Sequence, residues 1–210
     1  MIYKTNKIIV PFGAMHDHGN LMSCDTDNRI AYGLSKKLEG LSNVRVGPLI
    51  PFGYTKQGLI DFKLETIEKI LEDYLNSFKL KGINEFYVIS AHSENREPLE
   101  NLIKTKRYDI SLLEWWKEKH VKELITEDNG KMDKYVIYDE ALLLNRLFGD
   151  KIDNKDKIIY KLKERAVKLR LNINSNIELI EKLGDFYLDK ILNCFYSKLE
   201  NGTKNCSMSN

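Results

Sequence analysis

Four short runs rich in β-branched and aromatic residues fall in the first half of the chain: KIIVP from Lys7, VRVGPLIPFG from Val44, EFYVISAH from Glu85 and YDISLLEWW from Tyr108. Each is separated from the next by a segment of helical character. Between the first two, Ile30, Leu34 and Leu38 recur at helical spacing before Gly40. Between the second and third, Ile67, Ile70, Leu71, Tyr74, Leu75 and Phe78 form one stripe that Gly82 ends. A shorter helix from about Pro98 to Lys106 precedes the fourth run. This alternation constrains the fold strongly, because successive parallel strands need helical crossovers and those crossovers are right-handed. The expectation is an α/β fold with a mostly parallel sheet, and ligands at the carboxyl ends of its strands.

The second half has a different texture. HVKELITEDNGKMDKY, from His120, is polar and reads as a loop or short helix, followed by a helix from Asp139 to Leu147. Residues 156–171 and 175–200 carry apolar stripes of two amphipathic helices, packed on the sheet or on a second copy. The segment 201–210 reads as a polar tail, so residues 1–200 are expected to form one domain. Lys and Arg number 33 against 31 Asp and Glu, and the two signs are interleaved, which implies neither a nucleic-acid nor a membrane partner. No apolar run is long enough to span a membrane, and the stretch after Met1 is too short for a signal peptide. Three cysteines without CxxC spacing fit free thiols in a reducing compartment, and the expected location is the cytoplasm.

Function concentrates at the strand ends. Of four histidines, His16, His18 and His92 lie just beyond predicted strands. In an extended segment residues i and i+2 share a face, so His16 and His18 point together while Asp17 faces away. The same spacing recurs in Asp25 with Asp27 and in His92 with Glu94. A pool of imidazole and carboxylate donors without thiolate suits Zn, Mn or Fe. From spacing alone, metal ligands and hydrogen-bonded polar caps are equally open readings. His120 reads as an exposed surface residue, and Cys24 as a packing thiol beside the donors.

The run VPFGAMHDHGNLMSCDTD resembles the N-terminal metal motif of the creatininase (creatinine amidohydrolase) family: proline, a small residue and Gly, then Glu-x-His-Gly, then Asp nine residues after the His. His18, Gly19 and Asp27 match that His, Gly and Asp. The family's second motif, a strand ending in His-x-Glu-Asn, matches His92, Ser93, Glu94 and Asn95. LLEWW resembles the strand whose terminal Trp borders the family's substrate pocket, which places that role on Trp116, with Asn95 and Tyr135 as further substrate neighbours. The resemblance implies a three-layer α/β/α domain with two divalent ions per chain. One would be held by His16, Asp27 and His92, the other by His18, Asp27 and Glu94, with Asp27 as the bridge.

Three departures stand out. His16 replaces the family's Glu, which removes a negative charge from the donor set. Gln57 stands where many members carry His. The downstream His-x-Gly-x-x-Glu-Thr-Ser segment has no His here; a gapped placement sets Glu140 against its Glu and Tyr135 against its His. The resemblance implies an amidohydrolase that breaks a C–N bond of a small amide, cyclic, ureido or formamido, with a metal-bridging hydroxide. Glu140, a solvated helix-start carboxylate in the plainer reading, would move the proton, with Glu94 as the other catalytic carboxylate. Family precedent also implies a homo-oligomer, hexamers among the forms. The alternatives are a metal-binding scaffold protein that has lost catalysis, and a member that trims peptides in a biosynthetic pathway.

Overall fold

β1 (Lys7–Phe12) lies between β2 (Arg45–Val46) and β3 (Glu85–Ser90), and β4 (Asp109–Glu114) closes the order β2-β1-β3-β4, in a computed structural model that describes residues 5–19, 22–56, 58–126, 136–152 and 155–201. Tyr135, Gln57 and most of the expected tail lie outside the described residues. All three strand pairings are parallel, a stricter arrangement than the mostly parallel sheet expected. The register sets Phe12 beside Ser90 and Ser90 beside Glu114. Three strands therefore end level, and the loops that leave them start from one edge.

Strand alternation builds two cores. Ile8, Val10, Phe12, Phe86 and Val88 face α2 (Leu64–Lys79) and α3 (Arg96–Lys104), where they meet Ile67, Leu71, Leu75 and Leu99. Ile9, Tyr87, Ile89 and Leu113 face the other way, toward α1 (Thr26–Leu41), α4 (Lys119–Ile125), α5 (Val136–Phe148), α6 (Lys155–Lys168) and α7 (Asn176–Asn201). The result is the expected three-layer α/β/α fold. Ile70, counted in the α2 stripe, is 37% exposed and sits at the stripe's edge.

From β1 the chain crosses by α1 to β2 on one side, then by α2 to β3 on the other side of β1. Because both crossovers keep one hand, the two helices fall on opposite faces, and a crevice opens beyond the carboxyl ends of β1 and β3. The segments that follow Phe12 and Ser90 carry His16, His18, His92 and Glu94.

Several elements differ from the sequence expectation for local reasons. VRVGPLIPFG keeps only two residues in strand geometry, with an isolated bridge from Ile50 to Phe12, because Pro48 has no N–H to extend the ladder. YDISLLEWW ends as a strand at Glu114, and Trp115–Lys117 turn into a 3-10 helix. The helix expected from Asp139 begins at Val136. Among the described residues no helix is long and apolar enough to cross a membrane.

Candidate metal centre

The segments that leave β1, β2 and β3 pack closely because two glycines permit it. A Cβ on Gly13 would fall 2.6 Å from the Asn28 Cα in the first turn of α1, and one on Gly53 would fall 2.5 Å from the Gly13 carbonyl oxygen. Asn95 ties the three segments together. Its Nδ2 donates to the Gly13 carbonyl at 2.9 Å, and its Oδ1 accepts from the Tyr54 N–H at 2.9 Å. Fully buried and engaged at both ends, Asn95 does not line the cavity described below. Its place is that of a brace beneath the site, in contrast to the substrate contact expected. Asn95→Ala orphans a buried donor and a buried acceptor, at about 1–3 kcal/mol each. The expected outcome is a melting temperature lower by roughly 5–10 °C in a thermal scan.

Six donor side chains converge above that brace. His18 places Nε2 3.3 Å from Asp27 Oδ1 and 3.7 Å from Glu140 Oε2. His92 places Nδ1 3.0 Å from Asp27 Oδ2 and Nε2 3.5 Å from Glu94 Oε2. The His16 ring stands 5.2 Å from each of the other two rings, centre to centre. Asp27 is 1% exposed and presents one oxygen to each buried histidine.

The geometry arises differently from the extended-segment argument. Asp27 lies in the first turn of α1, not in a strand-like stretch; Asp25 precedes the helix and takes a hydrogen bond from Ser23 Oγ. Likewise Ser93–Asn95 form a 3-10 turn, and it is this turn that brings Glu94 back to His92. Asp17 is exposed, and its Oδ1 accepts from the Gly19 N–H at 2.7 Å, yet it lines the cavity described below together with the two histidines and does not face away from them as expected. His16 is held by its N–H, which donates to the Cys24 carbonyl at 3.1 Å; the half-buried Cys24 is outside the cavity wall.

The donor set fits a divalent cation on two observations. Asp27 Oδ2 and His92 Nε2 are buried without a hydrogen-bond partner, although each lies near another donor atom. Atoms that are close but not aligned for hydrogen bonding are what a shared third partner between them would leave. In addition, His18 Nδ1 sits 3.1 Å from the His16 carbonyl oxygen. A carbonyl only accepts, so Nδ1 donates to it and Nε2, turned to the carboxylates, is the nitrogen a cation would take on displacing its proton, as in metal-binding histidines oriented by a backbone carbonyl. Donor atoms of His18, Asp27 and Glu140 all lie within 4.8 Å of one another.

The charges are tightly coupled. Burial pushes the Glu140 carboxyl up, and the Asp27 charge adds to it, to about 8. Burial lowers His18, but its hydrogen bond to Asp27 and the charges of Asp27 and Glu140 outweigh that and raise it to about 8. Burial likewise opposes ionisation of Asp27, yet the close approach of His18 and His92 holds it below the usual carboxylate range. His16 is lowered by burial and by its two histidine neighbours. The metal-free cluster therefore keeps protons at neutral pH that a cation must displace from its ligands.

These groups line a cavity of about 600 Å³. Its far wall is Trp115 and Trp116, packed edge to face with centroids 5.8 Å apart. Both tryptophans line the cavity and both belong to the core. Glu140 faces the cavity from α5 with 14% of its side chain exposed, so it is not a solvated helix-start carboxylate. Ala91, Ser93, Lys56 and Ile137 also line it; Lys56 and Ile137 were not expected from sequence, although Lys56 follows directly on the PFGYT stretch. The Lys56 N–H donates to Glu94 Oε2 at 2.8 Å, which fixes that carboxylate at the mouth. His120 is half-exposed beside Glu118, away from the cavity.

The creatininase family model, described as creatinine amidohydrolase, matches residues 2–137. No curated protein matches the chain. Solved structures share the fold. A mutant creatininase in complex with creatine is 14% identical with a TM-score of 0.65, over 92% of this chain and 90% of that one. A manganese creatininase is 16% identical with a TM-score of 0.61 over 92% and 90%. A mutant creatininase of Zn-Zn type is 14% identical with a TM-score of 0.64 over 92% and 90%.

Proposed function

This chain belongs to the creatininase family, and from that premise we propose that it is a metal-dependent amidohydrolase that cleaves the C–N bond of a small amide. The observation that carries the reading is the buried Asp27 carboxylate, one oxygen toward His18 and the other toward His92. In this proposal His16, His18, Asp27, His92 and Glu94 would hold two divalent ions, and Asp27, with an oxygen toward each buried histidine, would be the ligand common to both. Zn and Mn are the first choices, in keeping with the solved creatininases and the nitrogen and oxygen donors. Bound there, the ions supply Lewis acidity, which acidifies water and polarises the amide carbonyl.

The protein's own groups do the rest. The cavity is of a size for a small molecule, and the Trp115 and Trp116 wall offers apolar area against which a flat amide is oriented and from which water is excluded. Glu140 takes a proton from the attacking water on Oε2 and returns it to the leaving nitrogen, so one carboxylate serves as base and then as acid. Its carboxylate lines the cavity beside the donor set, 3.7 Å from His18 Nε2, where such a proton carrier is needed. The missing family His makes Glu140 the proton carrier among the described residues; Tyr135 lies outside them.

Metal content of protein purified without tag or chelator tests the reading. The expected result is two equivalents of Zn, Mn or Fe per chain, lost in His92→Ala, with turnover of cyclic amides, formamides or short peptides that follows the metal. Two ions without turnover of any of these would favour the scaffold alternative, for which the missing His speaks. No metal after reconstitution would overturn the proposal.

A further inference from the structure

Directly beside Glu140, Asp139 is 1% exposed and points away from the cavity into the helical layer. There its Oδ1 accepts from Tyr187 Oη of α7 at 2.7 Å, and its Oδ2 from Arg165 Nη2 of α6 at 3.4 Å. Arg165 is 4% exposed and Tyr187 fully buried. A buried ion pair of this kind contributes little net stability, because desolvation offsets the attraction and apolar residues of the same volume do as well or better. What a buried charge with fixed partners does supply is one allowed placement of the element that carries it.

That element is the first part of α5, whose neighbouring residues Ile137 and Glu140 line the cavity. The remainder of α5 is held separately. A Cβ on Gly184 of α7 would fall 2.3 Å from Arg146 Cγ, and Arg146 pairs with Asp185. At the far end Asp150 takes a double hydrogen bond from Arg29 of α1, at 2.6 and 2.8 Å. Among the described residues, the Asp139 network is a polar anchor of the start of α5 to α6 and α7. Asp139, Arg165 and Tyr187 all lie beyond the residues matched by the family model.

We infer that Asp139, Arg165 and Tyr187 form a positioning network through which the two C-terminal helices set Glu140 against His18. The inference rests on the proposed role of Glu140 as proton carrier. Its members touch no substrate and act only through the placement of one carboxylate, 3.7 Å from His18 Nε2.

Tyr187→Phe is the variant of choice, since it removes one hydroxyl and leaves the charge pair and the ring packing in place. The expected result is a fall in kcat of about 10- to 100-fold from slight misplacement of the carboxylate, with KM within about twofold and metal content unchanged. A second readout needs no activity: in metal-free protein at fixed pH, the His18 imidazole resonance should move toward its position in Glu140→Gln. Leu183→Ala, a core truncation in the same helix, should lower the melting temperature while the His18 resonance and kcat stay in place. Asp139→Asn serves as the second variant, with the same expected shift. An unmoved His18 resonance together with unchanged kcat in both variants would reduce the network to ordinary core structure. Should Glu140→Gln itself leave turnover intact, the proton-carrier reading fails, and the resonance still reports whether the network places that side chain.

Discussion

Glu140→Gln is expected to lower kcat by about 10³- to 10⁴-fold, the upper part of the range for loss of a group that moves protons in the transition state, while both metal equivalents are retained. The amide keeps the size and the hydrogen-bonding reach of the carboxyl but cannot accept a proton from water or return one to nitrogen. The same variant separates two roles that the geometry brings close. Glu140 donor atoms lie within ligand range of His18 and Asp27, and a ligand would have to surrender its proton to the ion. Because burial and Asp27 push Glu140 up to about 8, and Asp27 raises His18 to about 8 against its burial, cation binding displaces a proton from each true ligand below that pH. Affinity then weakens as pH falls from 8, by about tenfold per unit for each proton displaced. With His18 as the ligand and Glu140 as the carrier, titration of a metal indicator is expected to find two equivalents in Glu140→Gln as in wild type. Loss of one metal equivalent would make Glu140 a third ligand beside His18 and Asp27.

How much of this was legible in the sequence depends on the range of the interaction concerned. The parallel strands were legible because KIIVP, EFYVISAH and YDISLLEWW carry their burial in consecutive residues, and the α2 stripe because Ile67, Leu71, Leu75 and Phe78 repeat within one helix. His16, His18 and His92 were found because a parallel sheet sends its loops to one edge, wherever the strands pair. The extended geometry expected of Asp25 and Asp27 does not hold, since α1 begins at Thr26 and leaves Asp25 at the position before the helix and Asp27 in its first turn. Asn95 sits inside a recognisable motif, yet nothing local says that its amide is consumed by Gly13 and Tyr54, 82 and 41 residues away. Glu140 emerged only from a gapped resemblance. Its support from Asp139, Arg165 and Tyr187 joins three helices at separations of 26 and 48 residues, for which no periodicity leaves a trace.

Asp27→Ala is the most damaging single change expected at the centre. In the two-ion arrangement each Asp27 oxygen serves a different side, Oδ1 facing His18 at 3.3 Å and Oδ2 facing His92 at 3.0 Å. Truncation at Cβ therefore removes a ligand from both ions at once, and with it the negative charge that allows two cations to sit as neighbours. Activity should fall to background, and elemental analysis should find neither ion at stoichiometric level. The fold has reason to survive the change. Asp27 lies in the first turn of α1, where an alanine is compatible with the helix, and His18 can stay neutral in its buried place once the carboxylate that favours its charged form is gone. Circular dichroism of the metal-free protein should stay close to that of metal-free wild type, with a melting temperature lower by a few degrees for the lost contacts to His18 and His92, so the loss of both ions is read on a folded protein. Were the site mononuclear, centred on one histidine, the second oxygen would have no cation to lose. Asp27→Ala would then weaken a single ion, and one equivalent at most would be found in wild type. Retention of two ions in Asp27→Ala would show that Asp27 does not bridge, and would leave its position between His18 and His92 to be explained as a hydrogen-bonded spacer that keeps two imidazoles apart.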